Sequence, residues 1–443
     1  MTSHADPAAL LRSRSYLGVL VIAALLGVPV SATAYGFLAL VSYLQSELFT
    51  HLPHALGYSS APGWWPLPVV VAGALLVAVA IRTLPGGGGP SPAGGFKVHK
   101  PPHAAELPGV IAAALATLSF GMVLGPELPL IALGGGLAAL AVRLVKSDAP
   151  EQATTVIASA GSFAAISTLL GSPIIGAFLL MEASGLGGPM LGLVLVPGLL
   201  ASGVGSLIFI GLDSLTGLGA FSLAIPGLPG FSRPNVAEFG WAIVIGLAAP
   251  LVGAGLHWLA LRLQRLADKR TMLVLPAAGL VVAAMAVIFT EATGKPASQV
   301  LFSGQSALGP LVDHAASYSI GAIVLLLVCK IVAYGVSLGS FRGGPIFPAM
   351  FIGAAGGVAM SHLPGLPLVA GVAMGIGAMS AVMLTLPLTS VLLATLLLGP
   401  DGLAVMPLAI VSVVVAYVAR ARLAAFTEPA AAAATPQAAP DHE

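Results

Sequence analysis

Apolar residues run almost unbroken along this chain, and Gly, Pro and sparse charges divide the runs by length rather than by alternation. A full bilayer crossing needs about 20 apolar residues. Residues 16–44 and 66–84 meet that length and predict two spanning helices. Other stretches, such as Pro173 to Glu182 and Pro387 to Leu398, fall short and predict re-entrant or half-spanning helices. Broken backbone of that kind survives at membrane depth only where protein buries it or where it lines a polar cavity.

The polar interruptions also alternate. The loop after the first span carries Glu47 but no Lys or Arg, whereas the next carries Arg82, Lys97 and Lys100. Further basic groups follow at Arg143 and Lys146, at Arg262, Arg265, Lys269 and Arg270, and at Arg420 and Arg422. Under the positive-inside rule this places both termini in the cytoplasm. Arg12 and Arg14, followed by an apolar run and Ser31-Ala32-Thr33-Ala34, have the outline of a signal peptide. The run continues past Ala34 through Tyr43, so the segment reads as an uncleaved span. From Glu428 the Ala- and Pro-rich sequence loses periodicity and reads as a disordered tail over 428–443.

The matched segments form an internal repeat. Gly125-Pro126-Glu127-Leu128-Pro129, followed by L-I-A-L-G, recurs as Gly344-Pro345-Ile346-Phe347-Pro348, followed by A-M-F-I-G. Downstream, Gly161 to Leu180 lines up with Gly375 to Ala394. The expected organisation is a cytoplasmic N-terminus over 1–15, then one transmembrane domain over 16–427 with repeats at about 66–211 and 239–424. Broken helices at matching positions of two repeats point to a transport site between them.

Composition agrees. The chain is 58% hydrophobic and 7% charged with mean hydropathy +1.02, against about 25% charged for soluble domains, which makes it an all-α polytopic membrane protein. Its 55 glycines and 35 prolines suit close helix approach and broken helices rather than a soluble core. A net charge of +1 argues against a nucleic-acid partner, and one cysteine, Cys329, excludes an intrachain disulfide. No H-E-x-x-H occurs, the nine histidines are scattered, and Ser184-Gly185 lacks the first glycine of a serine nucleophile motif, so neither an enzyme nor a metal site is expected. No cofactor is expected either.

Glu127 is the outstanding candidate. Pro126 and Pro129 suit the first turn of a helix, so the helix should start at Gly125 to Glu127, and helix starts attract anions through free N–H groups and the dipole. A carboxylate there closes the site when ionised and opens it when protonated or displaced. The bland alternative is a helix cap at an interface. Gly86-Gly87-Gly88-Gly89-Pro90, just before an apolar helix, is either a flexible loop or a second nest of N–H donors. Glu182 is read equally as an ordinary helix-end carboxylate or as a proton relay. Glu291, Asp313, His314 and Lys330, placed near helix ends, are read as structural, and Arg342 as an anion-attracting or an anchoring residue.

These motifs resemble those of the CLC chloride channel and transporter family over most of the chain. Gly121 to Pro129 resembles its G-R-E-G-P region, with Glu127 in place of the gating glutamate; Gly344 to Pro348 resembles G-x-F-x-P; and Gly86 to Pro90 falls where the family has G-S-G-I-P. The resemblance implies an inverted-repeat bundle, a homodimer with one pore per subunit, and transport of small anions, chloride or a related halide, by a channel or an anion/proton exchanger. It also implies a bacterial inner-membrane location and an anion held by Gly125, Pro126, Gly344, Pro345, Ile346, Phe347, Gly86, Gly87 and Gly88. Gly87 stands at the family's serine ligand, Ile346 at its phenylalanine and Ala183 at its internal proton glutamate, while no tyrosine lies near Phe426 to Glu428. A secondary transporter of another substrate class is the alternative. Cation sites usually draw on buried Asp or Asn, and Asn235 is the chain's one asparagine.

Overall fold

With no water at membrane depth, each backbone N–H and C=O must find a partner within the protein, and helices supply them segment by segment. The computed structural model describes residues 12–97, 100–145, 150–167, 169–170, 172–185, 189–218, 225, 230–231 and 233–427. Among them all regular structure is helical, apart from a single paired bridge. The expected terminal segments 1–11 and 428–443, and Lys146, lie outside the described residues.

The first half comprises α1 (Arg14–Ser46), α2 (Pro66–Thr83), α3 (Leu107–Ser119), α4 (Glu127–Val145), α5 (Glu151–Ala165), α6 (Pro173–Ser184) and α7 (Pro189–Thr216). The second comprises α8 (Val236–Lys269), α9 (Thr271–Thr293), α10 (Gln305–Asp313), α11 (Ile320–Ser340), α12 (Ile346–Met360), α13 (Leu368–Leu384), α14 (Pro387–Leu396) and α15 (Gly402–Thr427). Eight helices among the described residues are long and apolar enough to cross a membrane. The two segments expected to fall short do so: α6 has 12 residues and α14 has 10, about 18 and 15 Å at 1.5 Å per residue, half a hydrocarbon core.

Local chemistry fixes the starts. Pro66, Pro173 and Pro387 occupy first-turn positions where a missing N–H costs nothing. The Ser172 side chain accepts the Ile174 N–H at the start of α6. Asn235 forms a capping box with Glu238 at the start of α8, each side chain accepting the other's backbone N–H at 3.0 Å. The one asparagine is thereby committed to a helix start rather than to a cation site.

Glycine sets the packing of each half. In the first, α4 crosses α5 at Gly134 and Gly161; in the second, α12 crosses α13 at Gly353 and Gly375 and again at Gly357 and Gly371. A Cβ on any of these would run into the facing backbone. Gly134 and Gly161 correspond to Gly353 and Gly375 in the sequence repeat, so the two halves reproduce one helix crossing.

Candidate functional site

The two copies of the Gly-Pro motif meet face to face. Gly125 and Gly344 form an antiparallel bridge: the Gly125 N–H donates to the Gly344 carbonyl at 2.8 Å and the Gly344 N–H to the Gly125 carbonyl at 2.6 Å. The starts of α4 and α12 therefore lie side by side, and Pro126 and Pro345 turn the chain into each helix, their carbonyls accepting from Leu130 and Ala349.

Glu127, 0% exposed, projects from the first turn of α4 across this junction. Its Oε1 accepts the Phe347 N–H at 2.9 Å, and Oε2 has no partner. The donor that meets the carboxylate at hydrogen-bond distance thus belongs to the opposite repeat, while the amides of Glu127 itself and of Ile346 also act on it electrostatically. The bridge is the reason, since it brings the first-turn amides of α12 within reach of a side chain leaving α4. Ile346 and Phe347 are fully buried beside it, and a Cβ on Gly125 or Gly344 would collide with the carboxylate. A carboxylate is favoured at a positive helix end, but this one is buried with Oε2 left unpaired, so not all its acceptors are satisfied.

A polar stripe on α11 braces the junction. Lys330, Tyr334 and Ser337 recur at i, i+4 and i+7, so they share one face. The Val123 N–H donates to Ser337 Oγ at 3.1 Å and the Tyr334 hydroxyl to the Pro345 carbonyl at 2.8 Å. Lys330 Nζ donates to the carbonyls of Leu301 and Phe302, both at 3.0 Å, and lies 4.7 Å from the centre of the Phe351 ring. Lys330 is mid-helix and 0% exposed, not near a helix end as the sequence reading had it. Among the described residues, neither Lys330 nor Glu127 has an ion-pair partner. Replacing Lys330 by Met leaves two carbonyls without their donor, at a cost of about 1–3 kcal/mol. The purified variant is expected to melt at lower temperature, and an unchanged melting curve would show that the ammonium does not hold this loop.

Cavities border the sequence neighbours of Glu127, which itself lines none of them. One of about 280 Å³, lined by Ser42, Gln45, Leu124, Pro126, Ser303 and Gln305 among others, reaches the start of α4 from the end where α1 finishes. On the side bearing Lys97 and Lys100, a cavity of about 250 Å³ lined by Gly86, Gly89, Leu128 and Ile131 adjoins a smaller one of about 20 Å³. The two share Gly89, Pro90, Val110, Leu128 and Ala132 in their walls. Glu127 lies in sequence between Pro126, on the first cavity, and Leu128, on the others.

The glycine run borders the basic-side cavities but differs from the expected nest. Gly86, Gly87, Gly88 and Gly89 all have positive φ (81°, 56°, 74° and 88°), and the Gly89 N–H closes a turn onto the Gly86 carbonyl at 2.9 Å. The run is not of the alternating αR-αL kind of nest, since it keeps one hand that only glycine adopts cheaply. Nor does an apolar helix follow directly: a 3₁₀ turn at Pro92–Gly94 and a loop precede α3. Gly87 lines none of the three cavities.

Glu182 is not brought to this junction. Near the end of α6, its carboxylate accepts the Leu388 N–H at 3.0 Å, the Thr389 N–H at 2.8 Å and the Thr389 hydroxyl at 2.7 Å. It holds the start of α14. Both Glu127 and Glu182 thus leave the first repeat to cap a helix of the second.

The sequence profile of the family described as "Voltage gated chloride channel" matches residues 68–420. The YfeO protein of Shigella boydii serotype 4 (strain Sb227), whose name places it provisionally among ion-transport proteins, is 30% identical over 368 residues, covering 80% of this chain and 82% of that protein. Its namesake in Escherichia coli (strain SE11) matches to the same extent. Among solved structures, a slow cyanobacterial Cl⁻/H⁺ antiporter superposes with TM-score 0.75 at 19% identity, covering 91% of this chain and 94% of that one. A CLC-type fluoride/proton antiporter gives 0.62 at 18% identity with 91% and 96% covered, and a eukaryotic CLC transporter gives 0.69 at 16% with 92% and 72% covered.

Proposed function

Because the chain belongs to the voltage-gated chloride channel (CLC) family, we propose that this integral membrane protein moves a small inorganic anion, chloride or a related halide, past the junction of its two repeats. The observation that carries the reading is Glu127: a fully buried carboxylate seated on the Phe347 N–H, with one cavity bordering Pro126 before it and another bordering Leu128 after it. The ionised side chain occupies the seat a permeating anion would need, and protonation or displacement frees it. Ile346, Phe347, Gly125, Gly344 and the two prolines form that seat. Gly86 and Gly88 act as cavity wall on the basic side rather than as an amide nest.

Residues 66–211 and 239–424 are read as the two repeats, the bacterial inner membrane as the location with both termini cytoplasmic, and a homodimer as the assembly; the alternation of basic loops and the family resemblance support these readings. The decisive experiment loads liposomes with chloride or fluoride and follows release with an anion-selective electrode. Release that depends on the protein is expected. Electrogenic potassium or sodium flux without anion flux would favour a transporter of another class.

Three hydrogen bonds commit Glu182 to the start of α14, and this supports a capping role over proton relay. Glu182→Gln is therefore expected to keep anion flux and any proton coupling, and Glu182→Ala to lose about 1 kcal/mol of stability, as helix caps do. Coupling that vanishes in Glu182→Gln with flux intact would make Glu182 the relay.

A further inference from the structure

Arg342 stands just before the glycine pair that feeds the inter-repeat bridge. Its backbone N–H donates to Thr117 Oγ1 at 3.4 Å, and Nη1 donates to the Phe341 carbonyl at 3.2 Å. Its Nε is buried and has no partner. Among the described residues it makes no ion pair. Asp268, on the basic-side end of α8, acts on it electrostatically without meeting it. The stem of Arg342 passes close to Gly88, where a Cβ would lie 3.5 Å from the Arg342 Cγ.

This side chain forms part of the wall of the cavity of about 20 Å³, together with Gly88, Gly89, Pro90, Leu128, Pro129 and Gly343. That wall has no other charged group and no side-chain hydroxyl, and its two prolines contribute no N–H. A guanidinium carries five N–H donors and no acceptor, and one of them left buried and unpaired calls for an acceptor. A cavity of this size holds about one water-sized species.

We infer that Arg342 is the side-chain ligand of a single monatomic anion in this small cavity, on the basic side of Glu127. The inference rests on the anion-transport reading and narrows it. The guanidinium supplies a donor where Gly87 offers no hydroxyl, and the confined volume favours a halide over polyatomic oxyanions. Arriving from the wider cavity by Lys97 and Lys100, the anion would rest on Arg342 one step short of the Glu127 seat.

The test combines crystals of the full-length protein grown in bromide with halide titration calorimetry of wild type, Arg342→Lys and Arg342→Met. Expected are an anomalous bromide peak within hydrogen-bond distance of the Arg342 guanidinium, and halide affinity that falls about ten- to a hundredfold in Arg342→Met. Arg342→Lys keeps the charge and should recover part of that affinity. Bromide absent from this cavity in wild type, or affinity unchanged in Arg342→Met, would overturn the inference; the wild-type crystal decides if Arg342→Met fails to fold. Liposomes of wild-type protein separate the two readings: halide release without bromide at Arg342 sinks the site alone, and bromide at Arg342 without release sinks the transport reading.

Discussion

Glu127→Ala is expected to release the anion path from pH control. In the wild type the carboxylate holds the Phe347 N–H at 2.9 Å, so an anion can take that donor only when Glu127 is protonated or swung away. While the group is mostly ionised, the protonated fraction rises about tenfold for each pH unit lost. Anion flux should therefore climb as pH falls and level off once Glu127 is protonated. The alanine variant removes the competitor, and Glu127→Gln keeps its shape without the charge. Both should show flux nearly independent of pH, with any proton coupling gone. Stopped-flow or electrode assays on liposomes across the acidic to neutral range would show it. Wild-type pH dependence surviving in Glu127→Ala would reduce Glu127 to an ordinary cap.

The second large effect is expected at Gly125. The three nearest atoms that a Cβ there would meet all belong to the Glu127 carboxylate, and the Gly125 backbone is not in the positive-φ region that would itself exclude alanine. Gly125→Ala must therefore push the carboxylate out of its seat or strain the bridge to Gly344. Overpacking of this kind costs about 1–3 kcal/mol. In the presence of Glu127→Ala the obstructing atoms are gone, so the double variant should be about as stable as Glu127→Ala alone. The result expected is strong non-additivity: Gly125→Ala lowers thermal stability and raises flux at neutral pH, and the second substitution cancels the stability loss. Additive losses would mean that the methyl clashes with something other than the carboxylate.

Much of this arrangement could be read along the chain, because proline and glycine act locally. Pro126, Pro173, Pro345 and Pro387 mark helix starts wherever the chain folds, and the repeated Gly-Pro motif announced two equivalent starts. What sequence spacing could not convey was the partner. Glu127 and Phe347 are 220 residues apart, and only the Gly125–Gly344 bridge, a tertiary contact, sends the carboxylate to the second repeat's amides. Glu182 is a similar case, since its helix end gave no sign that Thr389 lay opposite.

The stripe on α11 is legible only when its members are taken together. Lys330, Tyr334 and Ser337 fall at i, i+4 and i+7 of an otherwise apolar helix, a spacing that puts them on one face, and polar groups at membrane depth need partners. Taken singly, Lys330 gives no sign of that pattern. The glycine run shows the converse. Four consecutive glycines do signal positive φ, but composition cannot report whether the hand alternates along them.

Bromide binding to crystals of Glu127→Ala, read by anomalous diffraction, tests most directly whether the carboxylate and the permeating anion share one seat. The account predicts a bromide on the Phe347 N–H in the variant, where the wild type at neutral pH holds Glu127 Oε1. Bromide found elsewhere in the protein, with the start of α12 empty in the variant, would contradict it.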